Sequence, residues 1–281
     1  MTKSVETKTG DLQLEVLGAA HCCCGDLSAY DRPSGIFSGQ RRSTGSTFHH
    51  TTEHPPGDYV TVNGARLWYE SEGSGEPLIL ISGGPGTSHD YFHPYFSALR
   101  DSYRIIYFDA LGRGKSDRGK DRSDYSLARD VEDVEGIRKA LGLGKINLLG
   151  HSYGGMVAQA YTLRFPDSIR RLILVDTQFS TEMWQANDGN NNHELRNQFP
   201  ETWEKIQQVR AQGFNTCSNE YQDANDVSPA FLMFYNASVF EKLMHSDGSI
   251  NNEVYCAITG DDADFQVSRH FLIVKEGDIS K

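Results

Sequence analysis

The stretch INLLGHSYGGMVAQAYTLRF, residues 146–165, decides the fold. It begins as a short apolar run, passes through a glycine-rich turn and continues with apolar residues at helical spacing, which predicts a strand, a tight turn and a helix in succession. The same alternation extends to both sides. Further strands are predicted at PLILIS (77–82), YRIIYFD (103–109) and RRLILVD (170–176), and helices at HDYFHPYFSALR (89–100) and SLARDVEDVEGIRKALGL (126–143). Alternating strands and helices form βαβ units, so we expect an α/β fold with a mainly parallel sheet and helices on both faces.

The character of the sequence changes at three points. The beginning is rich in Ser, Thr, Gly and His without sustained periodicity, which is typical of a poorly ordered extension. From Asp58 an alternating run with the dipeptide Asn63-Gly64 predicts a β-hairpin. After the last apolar strand the chain becomes polar and helical, which indicates an insertion that caps the sheet. The four segments are an extension (1–57), the sheet domain (58–179), a helical cap (180–265) and a divergent tail (266–281).

Charge and hydropathy exclude two classes of partner. The chain has 27 Lys and Arg against 38 Asp and Glu, a net charge of -11 and a pI near 5.3, so we expect neither nucleic acid nor a membrane surface as partner. Mean hydropathy is -0.52, and no apolar run approaches the roughly 20 residues that cross a bilayer. The N-terminus lacks the apolar segment of a secretory signal, so we expect a cytoplasmic protein. The expected partner is a small molecule or a short peptide.

The five cysteines predict neither disulfides nor a metal site. Cys22, Cys23 and Cys24 form one run, whereas Cys217 and Cys256 are isolated, and this pattern is no disulfide framework. Adjacent cysteines do not converge easily on one tetrahedral centre. We therefore assign no metal, and no organic cofactor is implied.

The pentapeptide at 150–154 has the form G-x-S-x-G. Between a strand and a helix this pattern is typical of a turn that lifts a serine hydroxyl clear of the sheet, so Ser152 is the candidate nucleophile. The glycine-rich loop at 82–86 follows an earlier strand. One of its amides and the amide of Tyr153 would supply two donors to an oxyanion, although an ordinary Gly/Pro turn has the same composition.

Three motifs in this order and spacing resemble the proline iminopeptidase branch of the α/β-hydrolases: SGGPGTSHDYF (82–92), FDALGRGKSD (108–117) and GHSYGGM (150–156). The resemblance continues into the cap, through EYQDA (220–224), FYNASVF (234–240) and EVYCAITGDDADFQV (253–267). It covers about residues 58–267. It implies the α/β-hydrolase fold with a helical cap, and release of an N-terminal proline or similar residue through an acyl-enzyme.

The same resemblance implies roles for individual residues. Ser152 would be the nucleophile, and the amides of Gly84 and Tyr153 would form the oxyanion hole. Glutamates of the family's cap bind the free amine of the substrate, and Glu220 stands at one matching position. A solvated charge at a helix end is the alternative for Glu220.

Two departures from the family affect the mechanism. The oxyanion loop begins with Ser82 where the family usually has His. The resemblance further implies strands and helices after the cap that carry the Asp and His of a catalytic triad, and the tail does not contain that pattern. We therefore expect these C-terminal elements to be missing, with Asp176 as a substitute acid and His270, or His245 in the cap, as a substitute base. His151 adjoins the serine and is expected to point elsewhere.

Three functions remain open at this point. The first is a serine aminopeptidase, and the second is an esterase acting on small acyl esters with the same machinery. The third is a catalytically impaired, truncated chain without the triad Asp and His. Epoxide hydrolase and dehalogenase chemistry are disfavoured, because those families have Asp where Ser152 stands.

Overall fold

The computed structural model describes residues 13–16, 54–225 and 250–267, and their strands form one seven-stranded sheet. The strands are β1 (Gln13–Val16), β2 (Gly57–Val62), β3 (Ala65–Glu72), β4 (Glu76–Ile81), β5 (Tyr103–Phe108), β6 (Ile146–His151) and β7 (Ile169–Val175). Their order across the sheet is β1-β7-β6-β4-β5-β3-β2. The pairs from β1 to β5 are parallel, and β3 pairs antiparallel with both β5 and β2. The expected mainly parallel sheet is confirmed.

Strand β1 comes from the N-terminal extension. It pairs in parallel with β7, with Gln13 opposite Arg171 and Val16 opposite Leu174. A short part of the expected extension therefore belongs to the sheet, where it pairs with the backbone of β7 and forms the edge strand. Residues 1–12 and 17–53 lie outside the described part of the chain.

The hairpin at the other edge forms at the predicted dipeptide. Asn63 and Gly64 have φ of 51° and 82°, and Val62 pairs directly with Ala65 across them. Two residues with positive φ match the twist of the flanking strands, and Asn and Gly are the residues that adopt such φ values most readily.

Six α-helices occur in the described residues. They are α1 (Leu127–Ala140), α2 (Tyr153–Arg164), α3 (Thr181–Gln198), α4 (Pro200–Ala211), α5 (Asn219–Ala224) and α6 (Asn252–Thr259). Four of them begin with a side-chain cap that accepts a hydrogen bond from a free backbone N–H of the first turn: Ser126, Ser180, Ser218 and Asn251. Such caps satisfy donors that have no partner within the helix and so fix where each helix starts.

The predicted helix at 89–100 is wrong. This segment forms two short 3₁₀ helices instead, Asp90–Phe92 and Tyr95–Leu99. Pro94 separates them, because proline has no N–H to continue a helical ladder and disfavours helical backbone at the residue before it.

The sheet has an apolar core on each face. Alternate residues of β4 and β5, such as Ile79 and Ile106, pack with the apolar side chains of α1 and α2. Their neighbours Leu78 and Ile105 face the other way and pack with Phe92 of the 3₁₀ segment. In the described residues, one face is thus covered by α-helices, and the other by the 3₁₀ turns rather than by the expected helix.

The cap is helical where the structure describes it. A cluster of Leu195, Ile206, Tyr221 and Ala224 joins α3, α4 and α5. Within the segment predicted as the cap, residues 226–249 lie outside the described residues. No helix in the described residues is long and apolar enough to span a membrane.

A disulfide corrects the prediction from the cysteine pattern. Cys217 and Cys256 are 39 residues apart in sequence and are joined, with their Cα atoms 6.2 Å apart. The bond connects the turn before α5 to α6. Sequence spacing does not reveal it, because the pairing depends on how the cap folds back. Disulfides are more typical of oxidising compartments than of the expected cytoplasm.

Candidate active site

Ser152 occupies the sharp turn between β6 and α2. Its backbone has φ of 51° and ψ of -122°, and α2 begins at the next residue. The Ser152 N–H donates to the Val175 carbonyl at 2.9 Å, and the Thr177 hydroxyl donates to the Ser152 carbonyl at 2.7 Å. The predicted strand–turn–helix arrangement is confirmed, and the end of β7 holds the turn in place. The nucleophilic role of Ser152 remains a prediction.

The glycines of the pentapeptide are required by close packing. A Cβ atom on Gly154 would collide with the carbonyls of Ile81 and Ser82, and one on Gly150 would collide with the Gly154 carbonyl. Helix α2 can therefore start directly against the end of β4 only if both positions lack a side chain.

The glycine-rich loop after β4 lies against the serine. A Cβ atom built on Gly83 would be 3.0 Å from the Ser152 Cβ. Gly84 has φ of 49° and its carbonyl accepts from the Thr87 N–H at 2.9 Å, which closes a turn. The Gly83 N–H donates to the Tyr91 hydroxyl at 2.5 Å. Since that amide has a partner, Gly84 remains the candidate donor of this loop, as the sequence suggested.

Tyr91 connects the glycine loop to His151 and was not singled out in the sequence. Its hydroxyl oxygen accepts from Gly83 and lies 2.9 Å from His151 Nδ1. The hydroxyl proton is then donated to Nδ1, which places the proton of a neutral His151 on Nε2. Burial lowers the pKa of His151, although the nearby charge of Asp176 opposes this effect. The ring is thus turned toward Tyr91, in agreement with the expectation that it points elsewhere.

A buried ionic network contacts both the glycine loop and the start of α2. Arg113 makes a bidentate ion pair with Asp130 at 2.6 and 2.7 Å, and the Tyr153 hydroxyl donates to Asp130 at 2.6 Å. Arg113 Nε also donates to the Pro85 carbonyl at 2.5 Å. The network therefore links the glycine loop to α1 and to the first residue of α2. Its members come from four segments of the chain, so no local sequence pattern reveals it.

The remaining predicted residues have different settings. Asp176 directly follows β7, has φ of 44° and is exposed next to the turn that holds Ser152. Glu220 is exposed in the first turn of α5. His245 and His270 lie outside the described residues. Within 54–225 and 250–267, no histidine is hydrogen-bonded to the Ser152 hydroxyl. The roles of Asp176, Glu220 and His270 remain predictions.

Comparison with known proteins supports the fold. A family model for the alpha/beta hydrolase fold matches residues 76–214. A proline iminopeptidase of Saccharolobus solfataricus is 39% identical over 120 residues, which are 41% of this chain and 39% of that protein. The crystal structure of a Mycobacterium smegmatis proline iminopeptidase superposes with a TM-score of 0.59 at 20% identity, covering 78% of this chain and 76% of the other.

A second curated relative has another activity. The cis-3-alkyl-4-alkyloxetan-2-one decarboxylase of Shewanella oneidensis is 36% identical over 121 residues, 42% of this chain and 38% of that protein. The chain thus matches well under half the length of both curated relatives. The sheet order, the turn at Ser152 and the match over 76–214 agree with one another, and this chain contains an α/β-hydrolase domain.

Proposed function

We propose that the protein is a serine hydrolase that forms an acyl-enzyme at Ser152. The observation that carries this proposal is the left-handed backbone of Ser152 at the start of α2, directly against the glycine loop. This placement exposes the hydroxyl where a helix N-terminus favours developing negative charge. Fixed donors aimed at a developing oxyanion are a major source of rate acceleration in acyl transfer.

The chemical steps follow from this arrangement. The Ser152 oxygen attacks the substrate carbonyl while a base takes the hydroxyl proton, and the amides of Gly84 and Tyr153 bind the oxyanion. The tetrahedral intermediate expels the leaving group, which receives the proton, and water then hydrolyses the ester on Ser152. No step requires a metal or an organic cofactor.

The base and acid are proposals of their own. A serine needs a base to become a nucleophile at neutral pH, and the base needs an acid to orient it. We propose His270 as the base, with His245 as the alternative, and Asp176 as the acid. The position of Asp176 supports this choice, because its neighbours Val175 and Thr177 both hydrogen-bond the Ser152 backbone.

For the substrate, we propose a short peptide from which the N-terminal proline or a similar residue is released. Similarity to proline iminopeptidases supports this class, with Glu220 as the group that binds the free amine. A small acyl ester is the second candidate. It is favoured by the exposure of Glu220 at the start of a short helix. The core is also similar, at 36% identity, to a relative that is not named as a peptidase.

Covalent labelling tests the nucleophile. The purified chain is treated with a fluorophosphonate probe and read by intact mass, with Ser152→Ala as the negative control. We expect one adduct on the parent and none on the variant. Loss of the adduct in His270→Ala but not in His193→Ala would identify the base; His193 is an exposed histidine of α3. Folded parent protein that does not react would refute the proposal and favour the catalytically impaired chain.

Two substrates separate the two classes. Proline p-nitroanilide reports aminopeptidase activity and p-nitrophenyl acetate reports esterase activity. We expect turnover of the anilide, with a raised KM in Glu220→Gln and an unchanged KM in Glu201→Gln, an exposed acid in the first turn of α4. Turnover of the ester alone would refute the peptidase and leave the esterase.

A further inference from the structure

A cluster of three histidines and one glutamate lies beside the site and takes no part in the proposed reaction. We call it the His/Glu cluster; its members are His54, Glu70, His89 and His93, and their ligand atoms all lie within 4.8 Å of one another. Glu70, His89 and His93 are buried, with exposures of 1%, 0% and 4%. The four residues come from the segment before β2, from β3 and from the loop after β4. The sequence therefore gives no metal-binding spacing.

The buried imidazoles have unused nitrogen atoms. His89 Nε2 and both ring nitrogens of His93 are buried without a hydrogen-bond partner. Buried polar atoms are nearly always paired, so atoms without partners indicate that something else occupies their lone pairs. Three unused nitrogens on two neighbouring rings point toward a shared ligand rather than an isolated packing defect.

The orientation of His89 is already fixed as it is in metal sites. Its Nδ1 lies 2.8 Å from Asp109 Oδ1, and Asp109 also accepts from the His89 backbone N–H at 2.9 Å. A carboxylate that holds one ring nitrogen fixes the tautomer and leaves the other nitrogen as a lone-pair donor. His89 Nε2 is that donor, and it faces Glu70.

Three distances from Glu70 are close to those between neighbouring ligands of a tetrahedral ion. Its Oε2 atom lies 2.9 Å from His54 Nδ1, 3.2 Å from His89 Nε2 and 3.2 Å from His93 Nε2. Ligands about 2.0 Å from a tetrahedral ion are about 3.3 Å from one another. His89 and His93 lie within ion-pair distance of this oxygen, but neither contact has the geometry of a hydrogen bond. Each of the three imidazoles therefore lies about as far from Oε2 as two ligands of one ion lie from each other.

The charges around the cluster also favour a cation. Glu70 Oε1 is held by Trp68 Nε1 at 3.0 Å and by Lys115 Nζ at 3.1 Å, which leaves Oε2 for the cluster. The carboxylates of Asp109 and Asp90 are adjacent, with Asp90 Oδ1 3.7 Å from His89 Nε2. In the part of the chain that the structure describes, Lys115 is the lysine that pairs with this group, and the carboxylates of Glu70, Asp90 and Asp109 lie around the imidazoles. A buried charge needs a counter-charge, and a divalent ion would provide it.

We propose that the His/Glu cluster is a zinc site. Imidazole nitrogens with one carboxylate oxygen are a donor set that Zn²⁺ prefers, and four protein ligands are typical of a structural rather than a catalytic zinc. The side chain of His54 is 30% exposed and provides the route of entry. The ion would tie the segment before β2 to the loop that carries Tyr91, and so steady the glycine loop next to Ser152.

Cobalt binding tests the site directly. The full chain is stripped of metal with a chelator, titrated with Co²⁺ and read by visible absorption, and the bound ion is then displaced with Zn²⁺. The titration uses a Cys22→Ser, Cys23→Ser, Cys24→Ser background, because that run could bind metal by itself. We expect one Co²⁺ per chain with the strong visible absorption of a tetrahedral centre. Zinc should displace it at equal stoichiometry.

Matched variants distinguish the cluster from other histidines. In the same background, His54→Ala should weaken Zn²⁺ binding at least about 100-fold, because it removes one of four ligands. His193→Ala should bind as the parent does. His54 is the most exposed member, so its loss should leave the fold intact, which circular dichroism verifies.

Two results would overturn the proposal. One is a triple-serine chain that shows no tetrahedral cobalt spectrum, which would assign any metal of the parent to the cysteine run. The other is unchanged zinc affinity in folded His54→Ala.

Discussion

Replacement of Arg113 by Met should strongly destabilise the protein. Arg113 and Asp130 are buried, with side-chain exposures of 4% and 3%. Besides its two bonds to Asp130, the guanidinium donates to the Pro85 and Leu111 carbonyls at 2.5 and 2.9 Å. Desolvation opposes the charged form of Arg113, but the interactions with Asp130, Tyr153 and Asp133 together outweigh it and raise the pKa. Methionine has a similar length and leaves Asp130 buried without its cation.

The expected magnitude follows from the burial. Removing one partner of a buried ion pair costs about 3–5 kcal/mol, because the other charge stays desolvated. We therefore expect Arg113→Met to lower the free energy of unfolding by about 4 kcal/mol. Asp130→Leu added to it should recover a large part of this loss, since no buried charge then remains. Labelling of Ser152 by the fluorophosphonate should also slow in the single variant, because the Pro85 carbonyl loses its donor.

Urea unfolding of the two single variants and the double variant gives the coupling energy. Arg66→Met is the matched control, because Arg66 pairs with Asp117 at 3.0 Å on the surface with 63% of its side chain exposed. Its stability should stay near that of the parent. A loss below about 1 kcal/mol for Arg113→Met, or a double variant as unstable as the sum of the singles, would refute the reasoning.

Three more predictions follow from other parts of the structure. Burial and the charge of Asp264 raise the pKa of Asp188 to about 7; the folded state therefore disfavours its ionised form, and stability falls as pH rises from about 4 to 7. A pKa of about 7 instead of 3.8 corresponds to about 4 kcal/mol for a fully buried carboxyl, and we expect about half of this because Asp188 is only partly buried. Asp188→Asn should therefore raise the free energy of unfolding by about 2 kcal/mol at pH 8 and leave it unchanged at pH 4. Equal effects at both pH values in urea melts would contradict this assignment. Reduction should add two reactive thiols to the denatured chain in a thiol titration, because Cys217 and Cys256 are joined; an unchanged count would exclude the bond. Tyr91→Phe should slow labelling of Ser152 about tenfold, because the glycine loop loses its partner; an unchanged rate in the folded variant would show that Tyr91 does not position the loop.

The sequence predicted those parts of the fold that local pattern determines. Apolar runs marked β4 to β7, Asn63-Gly64 marked the hairpin, and the G-x-S-x-G pattern placed Ser152 on its turn. The failure at 89–100 has a local cause as well, since Pro94 was present but was outweighed by the apolar spacing around it. In this segment, backbone restriction was stronger than periodicity.

The features that the sequence missed all depend on pairing between distant segments. The Cys217–Cys256 disulfide and the Arg113–Asp130 pair each join residues that no fixed spacing relates. The same is true of the His/Glu cluster, whose members are separated by strands and turns. A weak signal did exist, since two histidines, His89 and His93, lie four residues apart in the segment between β4 and β5, but this spacing alone does not show what they would bind.

The backbone conformation of Ser152 lowers the stability of the fold at the residue whose hydroxyl is proposed to react. A side chain with φ of 51° and ψ of -122° is strained by about 1–3 kcal/mol, and glycine would adopt these angles freely. Selection for stability alone would therefore favour glycine at this turn, as it stands at Gly64 in the hairpin. Glycine has no hydroxyl, however. A serine at this position therefore lowers stability without any benefit unless its hydroxyl takes part in a reaction. The strain is thus an argument for chemistry at Ser152 that does not depend on resemblance to any other protein.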